Sequence, residues 1–325
     1  MIIDAAQLKR RYVKRIAGVR DGRVYIGPET LALDITYACN LNCRYCWFHS
    51  PGNSRYSKKA HFLPWERFLE IIRDCVELNV DQINFVGVGE PSLHPKFQDM
   101  MRHLEAQPLY VKLNTNATFP VDYCKNVAQA DYVNINLGAV NRQQYRDLHG
   151  RDHFDHVVNN IKHLVSLRDA TKPQLRIVIS YILNTINIDQ KQKMQELASQ
   201  LGVREIDFIR MDVHDYNQDI TLPEASGKNK GDKHPSSCLN AWFYLVAMPD
   251  GNLSTCYRVF QMHGGKIDRR SLKQFWLSKH MMNKRLLGKH GYFQKKFKAC
   301  EDCVFYDKNI QRLQDAAVGH SNRST

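Results

Sequence analysis

The chain has 325 residues, of which 43% are hydrophobic and 24% charged, and its formal net charge is +13. This composition is that of a globular protein, and no apolar run approaches the ~18 to 20 residues that a membrane-spanning helix needs. The basic N-terminal segment lacks the apolar stretch and cleavage site of a secretory signal, so we expect a cytoplasmic protein. Because cysteines stay reduced there, clusters among the nine indicate metal ligands or catalytic thiols rather than disulfides.

Short β-branched segments alternate with longer helical ones from about residue 31 to 211. The predicted strands are LALDIT (31–36), QINFVGV (82–88), LYVKLNT (109–115), YVNINLG (132–138), QLRIVISYIL (174–183) and REIDFIRM (204–211). The predicted helices cover 63–78, 96–105, 122–128, the region around 157–167, and 190–201. About six βα units predict an α/β fold, a partial (β/α)6 TIM-like barrel, whose functional loops follow the strand ends.

The composition changes between Met211 and Cys238, where Gly, Pro, Lys, Asp and Ser dominate, as is typical of a linker. We therefore expect several units in chain order. These are an N-terminal extension (1–30), the barrel (31–211), a linker or loop (212–237), a small cysteine-containing domain (238–310) and a C-terminal tail (311–325).

The positive charge is concentrated near the C-terminus. Between Tyr257 and Ala299 there are twelve Lys or Arg and one acidic residue, Asp268. Such a segment is either a solvated face or a docking surface for something anionic. An acidic electron-transfer protein, an anionic substrate, a membrane surface and RNA all remain candidates.

Three cysteines follow the first predicted strand with the spacing C-x3-C-x2-C, namely Cys39, Cys43 and Cys46. A zinc site normally presents four ligands, whereas iron–sulfur clusters are held by thiolates. Three thiolates on a four-iron cluster leave one iron open, and an open coordination position is where a reactant binds. The spacing therefore predicts a reactive iron–sulfur cluster at the functional end of the barrel.

At these residues the sequence resembles the radical S-adenosylmethionine (radical SAM) superfamily. The segment CNLNCRYC has the superfamily's C-x3-C-x-aromatic-C form, with Tyr45 as the aromatic residue. The segment GVGEP (87–91) is similar to its GGEP loop, with Val88 in place of the first glycine. LNTNAT (113–118) and the segment that begins NINLGAV also resemble superfamily sequence, and the resemblance covers about 30 to 305.

The resemblance implies a 4Fe-4S cluster whose open iron binds SAM, which is then cleaved to a 5′-deoxyadenosyl radical. It also implies that Glu90 binds the ammonium group of SAM, and that Asn136 and Ser180 bind its ribose. The implied cofactor-binding residues are Tyr45, Gly87, Gly89, Glu90, Asn136 and Ser180.

A second cysteine group contains Cys238, Cys256, Cys300 and Cys303, and on spacing alone a zinc ribbon fits its closing C-x2-C pair. The flanking residues CLNAWFYLVAMPDGNLSTC, GGKIDRRSLKQFWLSKH and CEDC are similar to the SPASM/Twitch extension of radical SAM enzymes. Four cysteines match the shorter Twitch form, which implies one auxiliary 4Fe-4S cluster with a thiolate on every iron. Such a closed cluster is suited to electron transfer or to structural support.

Five further residues are candidates with weaker support. Tyr257 and Arg258 follow the second auxiliary cysteine, and we predict that they contact the substrate or form rim structure. Arg210 ends the sixth strand and is a candidate partner for the SAM carboxylate, an anionic substrate or a structural acid. Cys124 is a candidate hydrogen-donating thiol or a packing residue, and Cys75 is expected in the core.

The leading hypothesis is a radical SAM enzyme that acts on a small polar molecule. The arrangement of the two cysteine groups is most similar to the aminocyclitol and sugar dehydrogenases of the 2-deoxy-scyllo-inosamine dehydrogenase type. Epimerisation or dehydration of a similar substrate and modification of a ribosomal peptide are the alternatives. A flavodoxin or ferredoxin is the implied electron donor. A zinc-bearing, basic nucleic-acid-binding protein is the alternative outside this class.

Overall fold

The computed structural model describes residues 4–53, 60–211, 217–222, 237–257, 265–266, 271–297, 300, 303 and 306–321. The strands in these residues are β1 (Thr30–Leu33), β2 (Gln82–Phe85), β3 (Tyr110–Thr115), β4 (Tyr132–Asn136), β5 (Arg176–Leu183), β6 (Glu205–Arg210), β7 (Tyr244–Ala247), β8 (Asn252–Ser254) and β9 (Gly265–Lys266). The helices are α1 (Ala5–Asp21), α2 (Trp65–Glu77), α3 (Phe97–Glu105), α4 (Cys124–Val127), α5 (Arg142–His149), α6 (Phe154–Thr171), α7 (Lys191–Gln200), α8 (Asn240–Phe243), α9 (Leu272–Trp276), α10 (Lys279–Lys289), α11 (Tyr292–Lys296) and α12 (Tyr306–Ser321).

One sheet organises the molecule, with the strand order β6-β5-β4-β3-β2-β1-β7-β8-β9. Strands β1 to β6 pair in parallel with their sequence neighbours, as βα units require. The partial (β/α)6 barrel expected from the sequence is therefore confirmed. Because the strands are parallel, the loops that follow them meet at one end of the sheet.

The two faces of the sheet differ in polarity. Alternate residues such as Phe85, Leu113 and Val133 are buried in the hydrophobic core that the helices cover. The residues between them, such as Asn114 and Asn134, are half-buried on the opposite face. A side-chain period of two thus separates a helix-packed core from a polar interior.

The C-terminal segment is joined to the barrel through the sheet. Strand β7 pairs in parallel with β1 on the side opposite β2, and β8 and β9 then add antiparallel strands. Helix α12 runs from Tyr306 to Ser321 and so includes most of the segment expected as a C-terminal tail.

Two helices in the barrel half were missed by the sequence analysis. Helix α1 lies in the predicted N-terminal extension, where Asp4 caps its start and Gly22 ends it with φ 65. Helix α5 is only eight residues long and strongly polar on average, so few apolar residues mark it as a helix. In the part of the chain that the structure describes, no helix has both the length and the apolar character needed to cross a membrane.

Candidate active site

The three cysteines of the first motif lie in the loop that follows β1, and each is partly exposed. Their thiols are close enough to interact electrostatically, since Cys43 interacts with both Cys39 and Cys46. Burial raises the pKa of Cys39 to about 12, and burial likewise raises the pKa of Cys43. A coordinating metal removes such a proton outright, so this donor set suits an iron–sulfur cluster.

Helix α5 holds the cysteine loop at the end of the barrel. The backbone N–H of Asn42 donates to the carbonyl of His149 at 3.1 Å, and that of Arg44 donates to Leu148 at 2.9 Å. Gly150 follows the helix with φ +73, and a Cβ there would lie 3.3 Å from the Asn42 side chain. A glycine at this helix end therefore permits both the left-handed backbone and the close approach of the loop.

His149 is a site residue that the sequence analysis did not find. Its Nδ1 lies 3.1 Å from Cys43 Sγ, and its Nε2 lies 2.9 Å from the carbonyl oxygen of Leu137. The ring stacks on Tyr145 with a centroid separation of 4.2 Å. Burial lowers the pKa of His149 to about 4, so the ring is neutral and Nε2–H donates to Leu137. An isolated histidine with no metal spacing gave no signal in the sequence.

Tyr45 and Asn136 are brought together beside this histidine. The Tyr45 hydroxyl donates to Asn136 Oδ1 at 3.1 Å and lies 3.4 Å from His149 Nδ1. Asn136 ends β4, so this contact ties the cysteine loop, which follows β1, to a strand three positions away in the sheet order. Contact of either side chain with SAM remains a prediction.

Glu90 fixes the loop that follows β2. Its Oε1 accepts from the Ser92 hydroxyl at 2.8 Å and the Thr115 hydroxyl at 2.7 Å, and its Oε2 accepts from the Asn116 N–H at 2.7 Å. Burial raises the pKa of Glu90, and these hydrogen bonds partly oppose the rise. Its charge also acts on Cys39, so the carboxylate lies beside the predicted open cluster. Contact of Glu90 with the SAM ammonium group remains a prediction.

The two glycines of this loop have no room for a side chain. A Cβ at Gly87 would collide with the Asp34 carboxylate, and one at Gly89 would collide with the backbone oxygens of Thr36 and Ala38. Glycine is thus required because the loop packs directly on the start of the cysteine segment. Val88, which replaces the first glycine of the superfamily pattern, is buried at 3% exposure.

Asp34 follows β1 and was not predicted as a site residue. Its Oδ1 accepts a hydrogen bond of 2.7 Å from the Tyr257 hydroxyl, and among the described residues its buried Oδ2 has no partner. Burial raises the pKa of Asp34 well above its usual range, while hydrogen bonds from Tyr257 and the Val88 N–H lower it. Tyr257 therefore joins the second cysteine segment to the barrel.

A chain of polar side chains crosses the barrel interior below the cysteine loop. Asn114 donates to Asn84 Oδ1 at 2.8 Å, and Asn134 donates to Asn114 Oδ1 at 2.9 Å. The Ser180 hydroxyl then donates to Asn134 Oδ1 at 2.7 Å. Four adjacent strands, β2 to β5, thus present one hydrogen-bonded polar ladder on the face opposite the helices.

The second cysteine group also comes together in space. The thiol of Cys238 interacts electrostatically with those of Cys256, Cys300 and Cys303, and burial raises the pKa of Cys238 to about 12. Cys256 and Cys300 pack against the small hydrophobic cluster of Phe293 and Phe297. This set of four thiols suits a closed iron–sulfur cluster.

Neither cysteine group is arranged around a single ion. Within the described ranges, no three His, Cys, Asp or Glu side chains are grouped so that they could hold one metal ion. A four-iron cluster is larger than an ion, so its thiolate ligands stand further apart.

The structure describes three of the remaining predicted residues, Cys124, Cys75 and Arg210. Cys124 begins α4 and is buried against α6, and its Sγ lies 3.9 Å from the carbonyl oxygen of Asn160. These are the surroundings of a packing residue. Cys75 is fully buried in the main core, as expected. Arg210 is exposed at the end of β6, an edge strand of the sheet. Arg258 lies outside the described residues.

Comparison with known proteins identifies the class of this site. The Radical SAM superfamily model matches residues 33–198, and the iron-sulfur cluster-binding SPASM model matches residues 238–304. The chain therefore belongs to the radical SAM superfamily and carries a C-terminal SPASM domain. SAM and iron–sulfur clusters are its cofactors, as predicted, and a reductant is required.

Curated relatives match the barrel half of the chain. A probable GTP 3′,8-cyclase of Saccharolobus islandicus is 25% identical over 186 residues, which cover 56% of this chain and 57% of that protein. A probable GTP 3′,8-cyclase of Metallosphaera sedula is 24% identical over 186 residues, which cover 56% of each chain. The matched region thus spans little more than half the length of these relatives.

Solved structures share the fold over most of the chain. Streptococcus suis SuiB bound to S-adenosylmethionine has a TM-score of 0.66 at 12% identity, over 93% of this chain and 78% of SuiB. Native anSMEcpe with bound AdoMet has a TM-score of 0.57 at 15% identity, over 89% of this chain and 91% of that chain. BtrN in complex with AdoMet and 2-DOIA has a TM-score of 0.52 at 15% identity, over 85% of this chain and 93% of that chain. At these identities the comparison shows a common fold only.

Proposed function

We propose that this radical SAM enzyme dehydrogenates a small polyhydroxylated or aminocyclitol substrate, with the auxiliary cluster as electron acceptor. The observation that carries the proposal is the polar ladder from Asn84 to Ser180 in the barrel interior. Amide and hydroxyl groups that already form a network can exchange hydrogen bonds with substrate hydroxyls. An apolar substrate would shield these groups from water and offer no partner for their remaining hydrogen-bonding capacity.

The residues of the cysteine loop then have distinct roles. Cys39, Cys43 and Cys46 hold the cluster that binds SAM, while Glu90 and the two loop glycines shape the SAM site beside it. When bound, SAM and its cluster supply a carbon radical that removes a hydrogen atom from the substrate. Asn136 and Ser180 are paired in register on neighbouring strands, which supports a shared role in binding the nucleoside part of SAM.

Dehydrogenation of a carbinol also requires the loss of one electron and one proton. Cys238, Cys256, Cys300 and Cys303 would hold the acceptor for the electron, and a base takes the hydroxyl proton. The hydrogen bond from Tyr257 to Asp34 fixes the auxiliary cysteine segment against the end of β1. It therefore supports a short path between the substrate and the acceptor.

A flavodoxin or ferredoxin is the proposed reductant. Helices α9 to α11 and their flanking residues (271–297), here called the basic surface, contain seven Lys or Arg and no acidic residue. Arg285 is buried, so six of the seven contribute charge to this surface. An acidic electron-transfer protein is steered toward such a surface, and its encounter rate then depends on salt.

A nucleotide is the second candidate substrate. It is favoured by the similarity of the barrel to probable GTP 3′,8-cyclases, which covers only 56% of this chain. The polar ladder is compatible with the hydroxyl groups of either substrate.

The test is an anaerobic substrate screen with reconstituted protein, SAM and dithionite, in which 5′-deoxyadenosine is measured. The panel contains aminocyclitols, sugars, GTP and short cysteine-containing peptides. The proposal predicts that an aminocyclitol or sugar stimulates 5′-deoxyadenosine formation, and that Cys43→Ala abolishes it. Stimulation by GTP or a peptide alone would contradict the proposed substrate class.

A further inference from the structure

Helix α12 places two buried hydrogen-bond donors beside the first auxiliary cysteine. Asn309 is fully buried, and its Oδ1 accepts a hydrogen bond of 3.1 Å from the backbone N–H of Leu239, the residue after Cys238. In the described part of the chain, its Nδ2 has no hydrogen-bond partner. The acceptor side of the amide is therefore used, and the donor side is not.

Arg312 lies one helical turn further along α12 and is 6% exposed. Its guanidinium lies 3.9 Å from the ring centroid of Phe243, and one nitrogen donates to Glu29 Oε2 at 3.0 Å. The other terminal nitrogen, Nη1, is buried without a partner among the described residues. The charge of Arg312 also interacts with the Cys238 thiol group.

Two such donors at one cysteine need an explanation, because a buried donor without an acceptor is costly. Thiolate and sulfide sulfurs of an iron–sulfur cluster are acceptors, and they carry negative charge. Donors and cations near those sulfurs stabilise the reduced cluster, which carries one more electron, and so raise its reduction potential.

We propose that Asn309 Nδ2 and Arg312 Nη1 donate hydrogen bonds to sulfur atoms of the auxiliary cluster at Cys238 and raise its reduction potential. This rests on the proposed function, in which the auxiliary cluster takes one electron from the substrate. The two residues do not touch the substrate; they adjust how readily the acceptor is reduced. Glu29 opposes them, because its carboxylate neutralises part of the Arg312 charge.

The test is a redox titration of the reconstituted holoenzyme, followed by electron paramagnetic resonance (EPR). SAM is added to separate the signal of the cluster that binds it from that of the auxiliary cluster. Arg312→Gln should lower the equilibrium constant for reduction of the auxiliary cluster about tenfold, a shift of about 59 mV to more negative potential for one electron. Asn309→Asp keeps the acceptor for Leu239 but removes the donor, and it should shift the potential in the same direction.

Glu29→Gln provides a test of opposite sign. It leaves the Arg312 charge uncompensated and should shift the auxiliary potential to more positive values. Lys308→Gln removes a charge from an exposed position of the same helix and serves as the matched control, for which we expect a much smaller shift. The cluster that binds SAM is an internal reference whose potential should not change in any variant.

Unchanged auxiliary potentials in Arg312→Gln and Asn309→Asp, at the iron content of the unmodified protein, would overturn the proposal. Equal shifts of both clusters would also overturn it, because they indicate a general structural change. If Arg312→Gln does not assemble its auxiliary cluster, Asn309→Asp and Glu29→Gln decide the question by themselves. No substrate is present in the titration, so the result stands whether or not the enzyme proves to be a dehydrogenase.

Discussion

The Tyr257 hydroxyl donates a hydrogen bond of 2.7 Å to Asp34 Oδ1 across 223 positions of sequence. Tyr257 follows the second auxiliary cysteine, and Asp34 follows the first strand of the barrel. Asp34 is buried and Tyr257 is half-buried, so this bond links the auxiliary cysteine segment to the start of the barrel loop. The protonation of Asp34 therefore depends on a residue of the C-terminal segment.

Asp34 should make stability depend on pH. Burial raises the pKa of Asp34 in the folded state. Below the unfolded-state pKa of about 4, its contribution to the free energy of unfolding is fully present. This contribution is lost as the pH rises through the folded-state pKa. Asp34→Asn removes the titration. In anaerobic thermal melts, the variant should gain stability relative to the unmodified protein as the pH rises above about 4. A difference in melting temperature that does not change with pH would show that Asp34 ionises normally.

Glu90→Gln should destabilise the protein, because the new amide nitrogen faces groups that themselves donate hydrogen bonds to the carboxylate. We expect a loss of about 1–3 kcal/mol, the cost of leaving buried polar groups unsatisfied. Thermal melts and equilibrium binding of SAM would measure it. Glu66→Gln on the exposed face of α2 is the matched control. Equal melting temperatures for the two variants would contradict the role of Glu90 in fixing the loop.

His149→Phe should weaken iron binding at the cysteine loop. The aromatic ring preserves stacking on Tyr145, but the contacts with Cys43 and the Leu137 carbonyl are lost. Residues that orient metal ligands in this way typically contribute a factor of about 10 to 100 in metal affinity. Iron retention at the SAM-binding cluster during a chelator challenge measures the effect. His163→Phe, at an exposed position of α6, should retain iron normally. If the two variants lose iron at the same rate, His149 does not support the cluster.

Charge reversal on the basic surface should slow physiological reduction. Lys295→Glu with Lys296→Glu changes two exposed cations of α11, and we expect the rate of reduction by flavodoxin to fall by about tenfold at low salt. Reduction by dithionite should not change, because a small reductant does not need the docking surface. Lys162→Glu with Lys193→Glu, at exposed positions of α6 and α7, is the control with the same change in net charge. Unchanged flavodoxin rates in the double variant would remove the docking assignment.

The sequence was most informative where the residues of a site are close together in the chain. The spacing of Cys39, Cys43 and Cys46 indicated an open cluster because all three ligands come from one loop after one strand. The strands of the barrel were also predictable, because each is a short β-branched segment followed by a helical one. Helices α1 and α5 were missed because their sequences are highly polar.

The residues that support the cysteines were not predictable, since their partners are distant in sequence. His149 is 106 positions from Cys43, and the contact exists only because α5 packs under the cysteine loop. Arg312 and Glu29 are 283 positions apart, and Leu239 and Asn309 are 70 apart. Such contacts depend on tertiary packing, and a single sequence gives no local pattern for them.

The most direct test of the proposed dehydrogenation is the mass and hydrogen balance of one turnover. A stimulating aminocyclitol or sugar with deuterium at its carbinol carbons is incubated anaerobically with SAM and with enzyme reduced only at the cluster that binds SAM, so that the auxiliary cluster starts oxidised. Dehydrogenation predicts a product that has lost two hydrogens and 5′-deoxyadenosine that has gained one deuterium. It also predicts an EPR signal from the reduced auxiliary cluster in the same sample. A product with unchanged hydrogen content, or one that has lost water, would contradict dehydrogenation by this enzyme.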